Sequence, residues 1–244
     1  MKLLRIAVVM LPVLLAGCQA LQNPATEADP LIAGFKKVSV ASVSDAMDQV
    51  VGQRGFLSHK IRPVVAGQVV GRAITSLVKP AKPEEATPTL STRHTTAMID
   101  NSKPGEVGVI VVENGDDVAG IGGLMSTAAK ARGMAGFVID GGARDVDEIR
   151  NLGLPVYASS VTPATSVGRW ATVANNIPVK CGDITINPGD IIVAGESGVV
   201  AVPQAKAAEV LKRAQEIDER ETKMVPLIKQ YKSLSQVVQM FNRI

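Results

Sequence analysis

The sequence predicts a mixed α/β domain built of packed layers, and three observations support this prediction. Residues 107–112 are almost all β-branched, which is typical of a strand buried on both faces. Residues 124–132 are rich in alanine and should form a helix, followed by a short apolar strand at residues 136–140. Because strands and helices do not alternate in a regular βαβ rhythm, a layered α/β/β sandwich is favoured over a doubly wound parallel sheet.

The chain before the buried strand should contain three helices and a β-rich region. Ser42 and Asp45 have the spacing of a capping box, and apolar residues follow them at helical positions. The β-rich region consists of two runs that break at Gly67 and Gly71. In chain order we expect a short helix at residues 30–38, a capped helix at 42–50 and the β-rich region at 61–78. A proline-containing loop at 79–88 and a further helix at 94–101 should follow.

The chain after the buried strand should end in a long helical segment. Residues 205–244 are amphipathic at helical spacing, so this segment is expected to pack on its own domain or on a neighbouring subunit. Ahead of it we expect a turn at residues 120–123, the alanine-rich helix at 124–132 and a strand at 136–140. A short helix at 145–152, a strand at 155–158 and a β-rich stretch at 177–203 should follow.

Composition excludes nucleic acid as an expected partner. The chain has 244 residues, of which 46% are hydrophobic, 20% charged and 3% aromatic. So few aromatic side chains do not supply a stacking platform for single strands. The formal net charge of +3 falls to +1 without Lys2 and Arg5, and no cluster of basic residues suited to a phosphate backbone is present.

The first residues have the pattern of an export signal. An uncharged apolar run over residues 6–16 is too short to span a bilayer and has the length of a signal-peptide core. It ends in Leu-Ala-Gly-Cys at residues 15–18, which resembles the lipobox of bacterial lipoproteins, in which Cys18 would carry the lipid. The alternative is a plain secretory signal with a cysteine there by chance. We therefore expect a signal peptide over 1–17, a lipidated tether over 18–30 and the domain over 31–244.

The residue after Cys18 bears on location. It is Gln19, whereas an Asp there would resemble an inner-membrane retention signal. We expect an exported protein held to the cell envelope by its lipid alone, on the periplasmic face of the outer membrane. Lipidation would leave Cys181 as the one other cysteine of the sequence, so an intrachain disulfide is excluded and Cys181 should be a small buried residue.

Several common catalytic motifs are missing from the sequence. It has no phosphate-binding P-loop, and Gly-Glu-Ser-Gly at residues 195–198 is one residue short of a nucleophile elbow. His59 and His94 lack the neighbouring ligands of a zinc site. A histidine-based triad or zinc centre is therefore not expected.

The remaining chemistry is concentrated in two short segments. Backbone N–H groups at the start of the alanine-rich helix can hold a carboxylate, and Arg144 offers a planar fork for the same group. Asp145 supplies a hard oxygen ligand for Mg²⁺ or Mn²⁺, and Glu148, one helical turn later, could hold metal-bound water. These residues would bind a metal-chelated 2-oxo acid. The expected substrate-binding residues are Gly122, Gly123, Leu124, Met125 and Arg144, and Arg144 and Asp145 are the expected catalytic pair. The alternative is a surface Arg-Asp pair that only caps a helix, and spacing does not decide between the two.

These residues resemble the RraA-like family, which includes the 4-hydroxy-4-methyl-2-oxoglutarate aldolases. The blocks that carry the resemblance are residues 122–125, 128–133, 136–141 and 144–145, with further matches at 44–46, 71–73, 104–107, 155–157, 188–190 and 198–203. The resemblance implies a swivelling β/β/α fold, a homotrimer or a pair of trimers, and a site at a subunit interface. It also implies a divalent-metal-dependent lyase that acts on small 2-oxo acids.

The chain departs from the aldolase pattern at one position. In aldolases of this family an Asp stands 21 residues before the Arg, whereas this chain has Gly123 there and reads G-x20-R-D-x2-E, ending at Glu148. Aldol cleavage is therefore in question, because a carboxylate near the substrate is missing. Decarboxylation of oxaloacetate needs mainly the residues that bind the metal and the oxo acid, and these are present. On this basis decarboxylation is ranked at least level with aldol cleavage. Separately, Glu221 on the C-terminal helix could reach a neighbour's site in a trimer.

Non-catalytic roles stay open at this point. Gly195 occupies a position where many relatives would have an acidic residue, which favours a binding or regulatory protein that kept the fold. A solute-binding lipoprotein is a further alternative. Some family members restrain a cytoplasmic ribonuclease, which an exported protein would not meet.

Overall fold

Long-range pairing of β-branched segments organises the chain into one α/β domain in the computed structural model, which describes residues 29–241. The strands are β1 (Arg62–Val65), β2 (Val69–Pro80), β3 (Val107–Val112), β4 (Ala119–Ile121), β5 (Gly136–Ala143), β6 (Val156–Val161), β7 (Trp170–Asn175), β8 (Val179–Cys181), β9 (Ile184–Ile186), β10 (Ile191–Gly195) and β11 (Gly198–Val202). The helices are α1 (Pro30–Phe35), α2 (Val40–Val50), α3 (Pro88–Asp100), α4 (Gly123–Ala131), α5 (Val146–Leu152), α6 (Ala207–Tyr231) and α7 (Leu234–Phe241).

Strand β2 joins two differently built parts of the main sheet. Within the described residues this sheet runs β1-β6-β5-β3-β2-β10-β11, with β4 paired to β5 and β7 paired to β2. The first part of β2 pairs antiparallel with β10, and the part from Ala73 to Val78 pairs parallel with β3. Strands β3, β5 and β6 continue the parallel part. Strands β8 and β9 form a separate hairpin.

The sheet is covered on both faces. In β10, Ile191 and Val193 belong to a core shared with α1, α2 and α6, whereas Ile192 and Ala194 belong to a second core that includes the β8–β9 hairpin. A third core packs helices α3, α4 and α5 against the parallel strands. Because side chains alternate between the faces of a strand, these apolar runs form one layered domain. The predicted layered α/β class is confirmed, and so is the expected burial of Cys181, which is fully enclosed.

Two predicted helix starts are wrong. Helix α2 begins at Val40, because Ser39 accepts the N–H of Ser42 and acts as the cap. Ser42 then lies inside the helix, where its hydroxyl bonds to Asp218 of α6. Helix α3 begins at Pro88, six residues before the predicted start, since proline is well accommodated in the first turn of a helix.

Two predictions about strands are also wrong, and one strand of the structure was not predicted. Gly71 does not interrupt β2, which runs from Val69 to Pro80 and pairs at Gly71 with Ile192. A Cβ at this position would lie 2.1 Å from the carbonyl oxygen of Gly105. The glycine therefore permits a close backbone approach within a continuous strand. Strand β7 was not expected at residues 170–175, and β5 continues past the predicted end at Asp140 as far as Ala143.

The C-terminal segment is helical, as predicted, up to Phe241. Helix α6 extends over 25 residues, a turn at Lys232 in the left-handed region ends it, and α7 follows. No helix within residues 29–241 has both the length and the apolar character needed to cross a membrane. The predicted signal peptide and Cys18 lie outside the described residues, as do residues 242–244.

Candidate active site

Parallel pairing of β4 with β5 brings the two predicted site segments together. Ala119 is opposite Gly142 and Ile121 is opposite Ala143, so both strands end at the same edge. The N–H of Arg144 donates to the carbonyl of Ile121 over 3.1 Å, which locks the two ends to each other. Segments 21 residues apart in sequence therefore form one surface at the carboxyl ends of the parallel strands, where ligands commonly bind in open α/β sheets.

Asp145 links the two segments through its side chain. Its Oδ2 accepts the N–H of Gly123, the first residue of α4, over 2.9 Å. Its backbone adopts a left-handed conformation with φ of 54°, which for a residue other than glycine costs about 1 kcal/mol or more. It makes no side-chain bond to α5, the helix that it precedes. The side chain of Asp145 therefore does not cap the helix that it precedes, because its carboxylate is directed across to the first residue of α4.

Arg144 is held close to the same carboxylate and stays accessible. Its Nε lies 3.6 Å from Asp145 Oδ2, and 42% of its side chain is exposed. A Cβ on Gly122 would lie 2.9 Å from that Nε and 2.7 Å from Asp145 Oδ2. The absence of a side chain at Gly122 therefore leaves the room that the ion pair occupies.

Glu148 fills the space beside Gly123. A Cβ built on Gly123 would overlap Glu148 Oε2 and would lie 3.5 Å from Asp145 Cβ. The carboxylate of Glu148 thus stands where a side chain from position 123 would project. In the aldolase pattern an Asp occupies that position, so this chain supplies a carboxylate to the same region from α5 instead of from α4.

The start of α4 offers free donors to this region. Gly122 is the N-cap residue and contributes no side chain, and Asp145 takes up the N–H of Gly123. The N–H groups of Leu124 and Met125 have no partner among the described residues. Unpaired N–H groups in a first helical turn favour a negatively charged ligand.

One cleft of about 470 Å³ contains all seven predicted residues. The structure places Gly122, Gly123, Leu124, Met125, Arg144, Asp145 and Glu148 around it. Among the described residues that line it, Arg144 is the one cation. The cleft can therefore hold a small anion at the Arg144 side.

Part of the cleft wall is formed by residues other than the seven predicted ones. Thr92 and His94 of α3, together with residues 165–167, contribute a further part of the lining. A bridge between Ala119 and Thr165 brings that loop to the cleft. No sequence spacing could have indicated this, because the contacts depend on pairing between distant segments.

The carboxylates fit an open metal site and do not form a closed one. Within residues 29–241, no three His, Cys, Asp or Glu side chains are grouped closely enough to cage a metal ion. Asp145 and Glu148 offer two carboxylates, and Mg²⁺ is commonly bound by one or two carboxylates, with water and substrate oxygens completing its shell. The donor set therefore suits Mg²⁺ or Mn²⁺ bound together with a chelating ligand.

Fold and cleft together define an α/β protein with a small-molecule site at the edge of its parallel strands. The family model described as RraA-like, Aldolase/RraA, matches residues 40–201. The chain belongs to the RraA-like family.

Relatives of this chain include named and solved proteins. A provisionally named 4-hydroxy-4-methyl-2-oxoglutarate aldolase of Halalkalibacterium halodurans is 32% identical over 186 residues, which cover 75% of this chain and 81% of that protein. The crystal structure of an uncharacterised protein from Pseudomonas syringae pv. tomato is similar with a TM-score of 0.78 at 31% identity, covering 88% of this chain and 95% of that one.

A third relative has a different description. Streptomyces coelicolor RraAS2, described as an unusual member of the RNase ES inhibitor RraA protein family, is similar with a TM-score of 0.70 at 27% identity. The match covers 80% of this chain and 96% of that chain. Relatives of this chain thus include proteins named as lyases and a protein described as belonging to an inhibitor family.

Proposed function

We propose that the protein is a carbon–carbon lyase that acts on small 2-oxo acids with the help of Mg²⁺ or Mn²⁺. The observation that carries this proposal is the position of Glu148, whose carboxylate fills the space at Gly123 beside Arg144 and Asp145. The names of relatives such as the Halalkalibacterium halodurans protein support the same reaction class.

The residues of the cleft divide into two functional groups. Arg144 and the N–H groups of Leu124 and Met125 would hold the carboxylate of the oxo acid, since a guanidinium fork and a helix start both suit that group. Asp145 would hold the metal directly and Glu148 through a water molecule. When bound, the metal would serve as a Lewis acid toward the keto oxygen.

Decarboxylation of oxaloacetate suits this set of residues. The bond between the third and fourth carbon breaks, its electron pair forms the pyruvate enolate, and carbon dioxide leaves, so no base is needed to start the reaction. The enolate then takes a proton to give pyruvate. With Arg144 the one cation among the described lining residues, none of the others would stabilise the departing carboxylate by its charge. A carboxylate without a positive partner is the better leaving group.

Aldol cleavage of 4-hydroxy-4-methyl-2-oxoglutarate makes one additional demand. A base must take the proton of the 4-hydroxyl before the carbon–carbon bond breaks and leaves pyruvate enolate and a second pyruvate. Gly123 cannot provide that base. Glu148 is the described carboxylate best placed to do so, because it occupies the region where the Asp of the aldolase pattern would lie.

Pyruvate release tests both reactions. The purified protein is incubated with oxaloacetate or with 4-hydroxy-4-methyl-2-oxoglutarate, in Mg²⁺, Mn²⁺ or EDTA, and pyruvate is measured with lactate dehydrogenase. A blank without protein corrects for decarboxylation of oxaloacetate by the metal alone. We expect release with metal and its loss in EDTA. No release above the blank from either substrate with either metal would refute the proposed activity.

We further propose that the active form is a homotrimer or a pair of trimers. Leu124, at the cleft, is 91% exposed and Val161, at the end of β6, is 60% exposed. Large apolar side chains this exposed are common at surfaces that meet another subunit. Glu221 is exposed on α6 and does not line the cleft of its own chain, and we propose that it reaches the cleft of a neighbouring subunit. Sedimentation of the purified protein measures the assembly.

Location and membrane attachment also stay proposals. The lipobox-like segment at residues 15–18 supports an exported protein anchored through Cys18 to the periplasmic face of the outer membrane. Metabolic labelling with a fatty acid, compared between the natural chain and Cys18→Ala, tests the anchor. Label on both forms, or on neither, would contradict it.

A binding or regulatory role is the second candidate. The description of the Streptomyces coelicolor relative as belonging to an inhibitor family favours it. It predicts a macromolecular partner whose capture does not change in Arg144→Ala, together with no pyruvate release. A solute-binding lipoprotein instead predicts tight binding of oxo acids without turnover.

A further inference from the structure

One buried imidazole contacts the strand that leads into the cleft. His94 on α3 is 1% exposed, and its Nε2 lies 2.8 Å from the carbonyl oxygen of Gly120 in β4. Its Nδ1 lies 3.5 Å from Thr172 Oγ1, and its backbone N–H donates to that same oxygen over 2.8 Å. The ring thus connects α3, β4 and β7.

These contacts determine which nitrogen carries the proton. A carbonyl oxygen can only accept, so Nε2 of His94 must be the donor to Gly120. The hydroxyl of Thr172 already accepts the N–H of His94, which leaves its own hydrogen free to be directed toward Nδ1. Burial lowers the pKa of His94, while hydrogen bonds to the backbone of Gly120 and of Ser91 oppose this effect. Burial thus favours the neutral ring, in which Nε2 donates to Gly120 and Nδ1 faces the hydroxyl of Thr172.

Gly120 is confined on two sides. A Cβ there would lie 3.1 Å from Val112 and 3.4 Å from both Ile110 and Ile139, so the glycine lies tightly against the parallel strands. On the other side, Nε2 of His94 donates a hydrogen bond to the carbonyl oxygen of Gly120. Two residues later the chain reaches Gly122, the N-cap residue of α4, so a shift of Gly120 would be passed on to the start of that helix over a very short stretch of chain.

We propose that His94 is a positioning residue for the carboxylate-binding start of α4, acting through Gly120 and without contacting the reacting atoms. The proposal rests on the proposed function in so far as the cleft binds a 2-oxo acid. A His94 that only filled space beside the cleft would not distinguish a substitute that keeps a donor for Gly120 from one that lacks it. A positioning role instead requires a hydrogen-bond donor at the place of Nε2.

Two amide substitutions separate these roles. In His94→Gln the side-chain amide can reach the place of Nε2 and keep a donor for Gly120. In His94→Asn the shorter side chain places its amide near Nδ1 and leaves the carbonyl without a partner. Ile99→Val is the matched control, because Ile99 is 2% exposed on the same helix and its change removes one methylene from the core without removing a hydrogen bond.

The measurement is the affinity of the full-length protein for oxalate, a stable mimic of pyruvate enolate, with Mg²⁺ present. Calorimetry gives the dissociation constant and thermal melts give the stability of each variant. We expect His94→Asn to weaken oxalate binding roughly tenfold or more, since a small misplacement of binding groups has effects of this size. We expect His94→Gln and Ile99→Val to stay within about threefold of the natural chain, since both keep the Gly120 bond possible.

Three results would overturn the positioning role: unchanged affinity in His94→Asn, equal weakening by Gln and Asn, or equal weakening by Ile99→Val. If the natural chain binds no oxalate, the proposed function fails and the role of His94 is decided by a readout that needs no ligand. The backbone amide resonances of Gly122 and Gly123 should then shift in His94→Asn and stay in place in His94→Gln. Resonances that stay in place in both variants would refute the proposal.

Discussion

The pair Gly123 and Glu148 gives the sharpest prediction from the structure. Replacing Gly123 with Asp would put a side chain where Glu148 Oε2 now stands, while the backbone at Gly123 is not in the left-handed region. Glu148 must then turn away into solvent, which its exposed position on α5 allows. The substitution therefore displaces one carboxylate with another and leaves the backbone in place.

The magnitude follows from the geometry of the two carboxylates. Two like charges about 4 Å apart repel by about 1 kcal/mol in water and by about 4 kcal/mol near a protein surface. Since Glu148 can rotate outward, we expect Gly123→Asp to lower the free energy of unfolding by about 1–2 kcal/mol. In a domain of this size each kcal/mol lowers Tm by about 2–4 °C.

A double-mutant cycle measures this interaction. Gly123→Asp, Glu148→Ala and the double variant are compared by thermal unfolding and by pyruvate release from both substrates. We expect the double variant to recover most of the stability lost in Gly123→Asp, with a coupling energy of about 1 kcal/mol or more. We also expect the double variant, which has the D-x20-R-D pattern, to release relatively more pyruvate from 4-hydroxy-4-methyl-2-oxoglutarate than from oxaloacetate.

Gly123→Ala is the control for the cycle. The methyl group of the alanine overlaps the same Glu148 oxygen without adding charge. The coupling energy between Gly123→Ala and Glu148→Ala should therefore be smaller than that between Gly123→Asp and Glu148→Ala. Additive stability effects of Gly123→Asp and Glu148→Ala would refute the reasoning, because they would show that the Glu148 carboxylate does not occupy the space beside Gly123 in solution.

Three further predictions concern single residues. Arg144→Lys should reduce pyruvate release roughly tenfold or more with little change in Tm, because a lysine cannot bind a carboxylate through two parallel bonds; unchanged activity would contradict the assigned role. Asp145→Asn should keep Tm within a few degrees, since Asn tolerates the left-handed backbone and still accepts the Gly123 N–H, but it should abolish metal-dependent activity; calorimetric Mg²⁺ titration with oxalate checks this. Burial raises the pKa of Cys181, so the neutral buried thiol should contribute its full stability below the ordinary thiol pKa of about 8.5 and lose it as pH rises further. In urea unfolding between pH 7 and 10, the free energy of unfolding should therefore fall less in Cys181→Ala than in the natural chain. An equal fall in both proteins would refute this prediction.

The sequence itself determined the parts of the fold that depend on local pattern. The β-branched run of β3 and the alanine-rich helix α4 are local signals, and each forms the element that it predicts. Arg144 and Asp145 could be singled out because their side-chain chemistry is specific and stands beside glycines. The lipobox-like pattern at residues 15–18 lies outside the described residues, so the predicted lipid anchor rests on the sequence alone.

Tertiary structure decided how the site is assembled. Pairing of β4 with β5 makes neighbours of Gly123 and Asp145, which are 22 residues apart. The placement of Glu148 in the space beside Gly123, and of His94 behind Gly120, results from packing between helices and strands distant in sequence. Periodicity and spacing report which face of an element is buried, and they contain no information about which distant segment will lie against it. The Arg144–Asp145 pair was therefore visible in the sequence, whereas its partners in the cleft were fixed only by long-range packing.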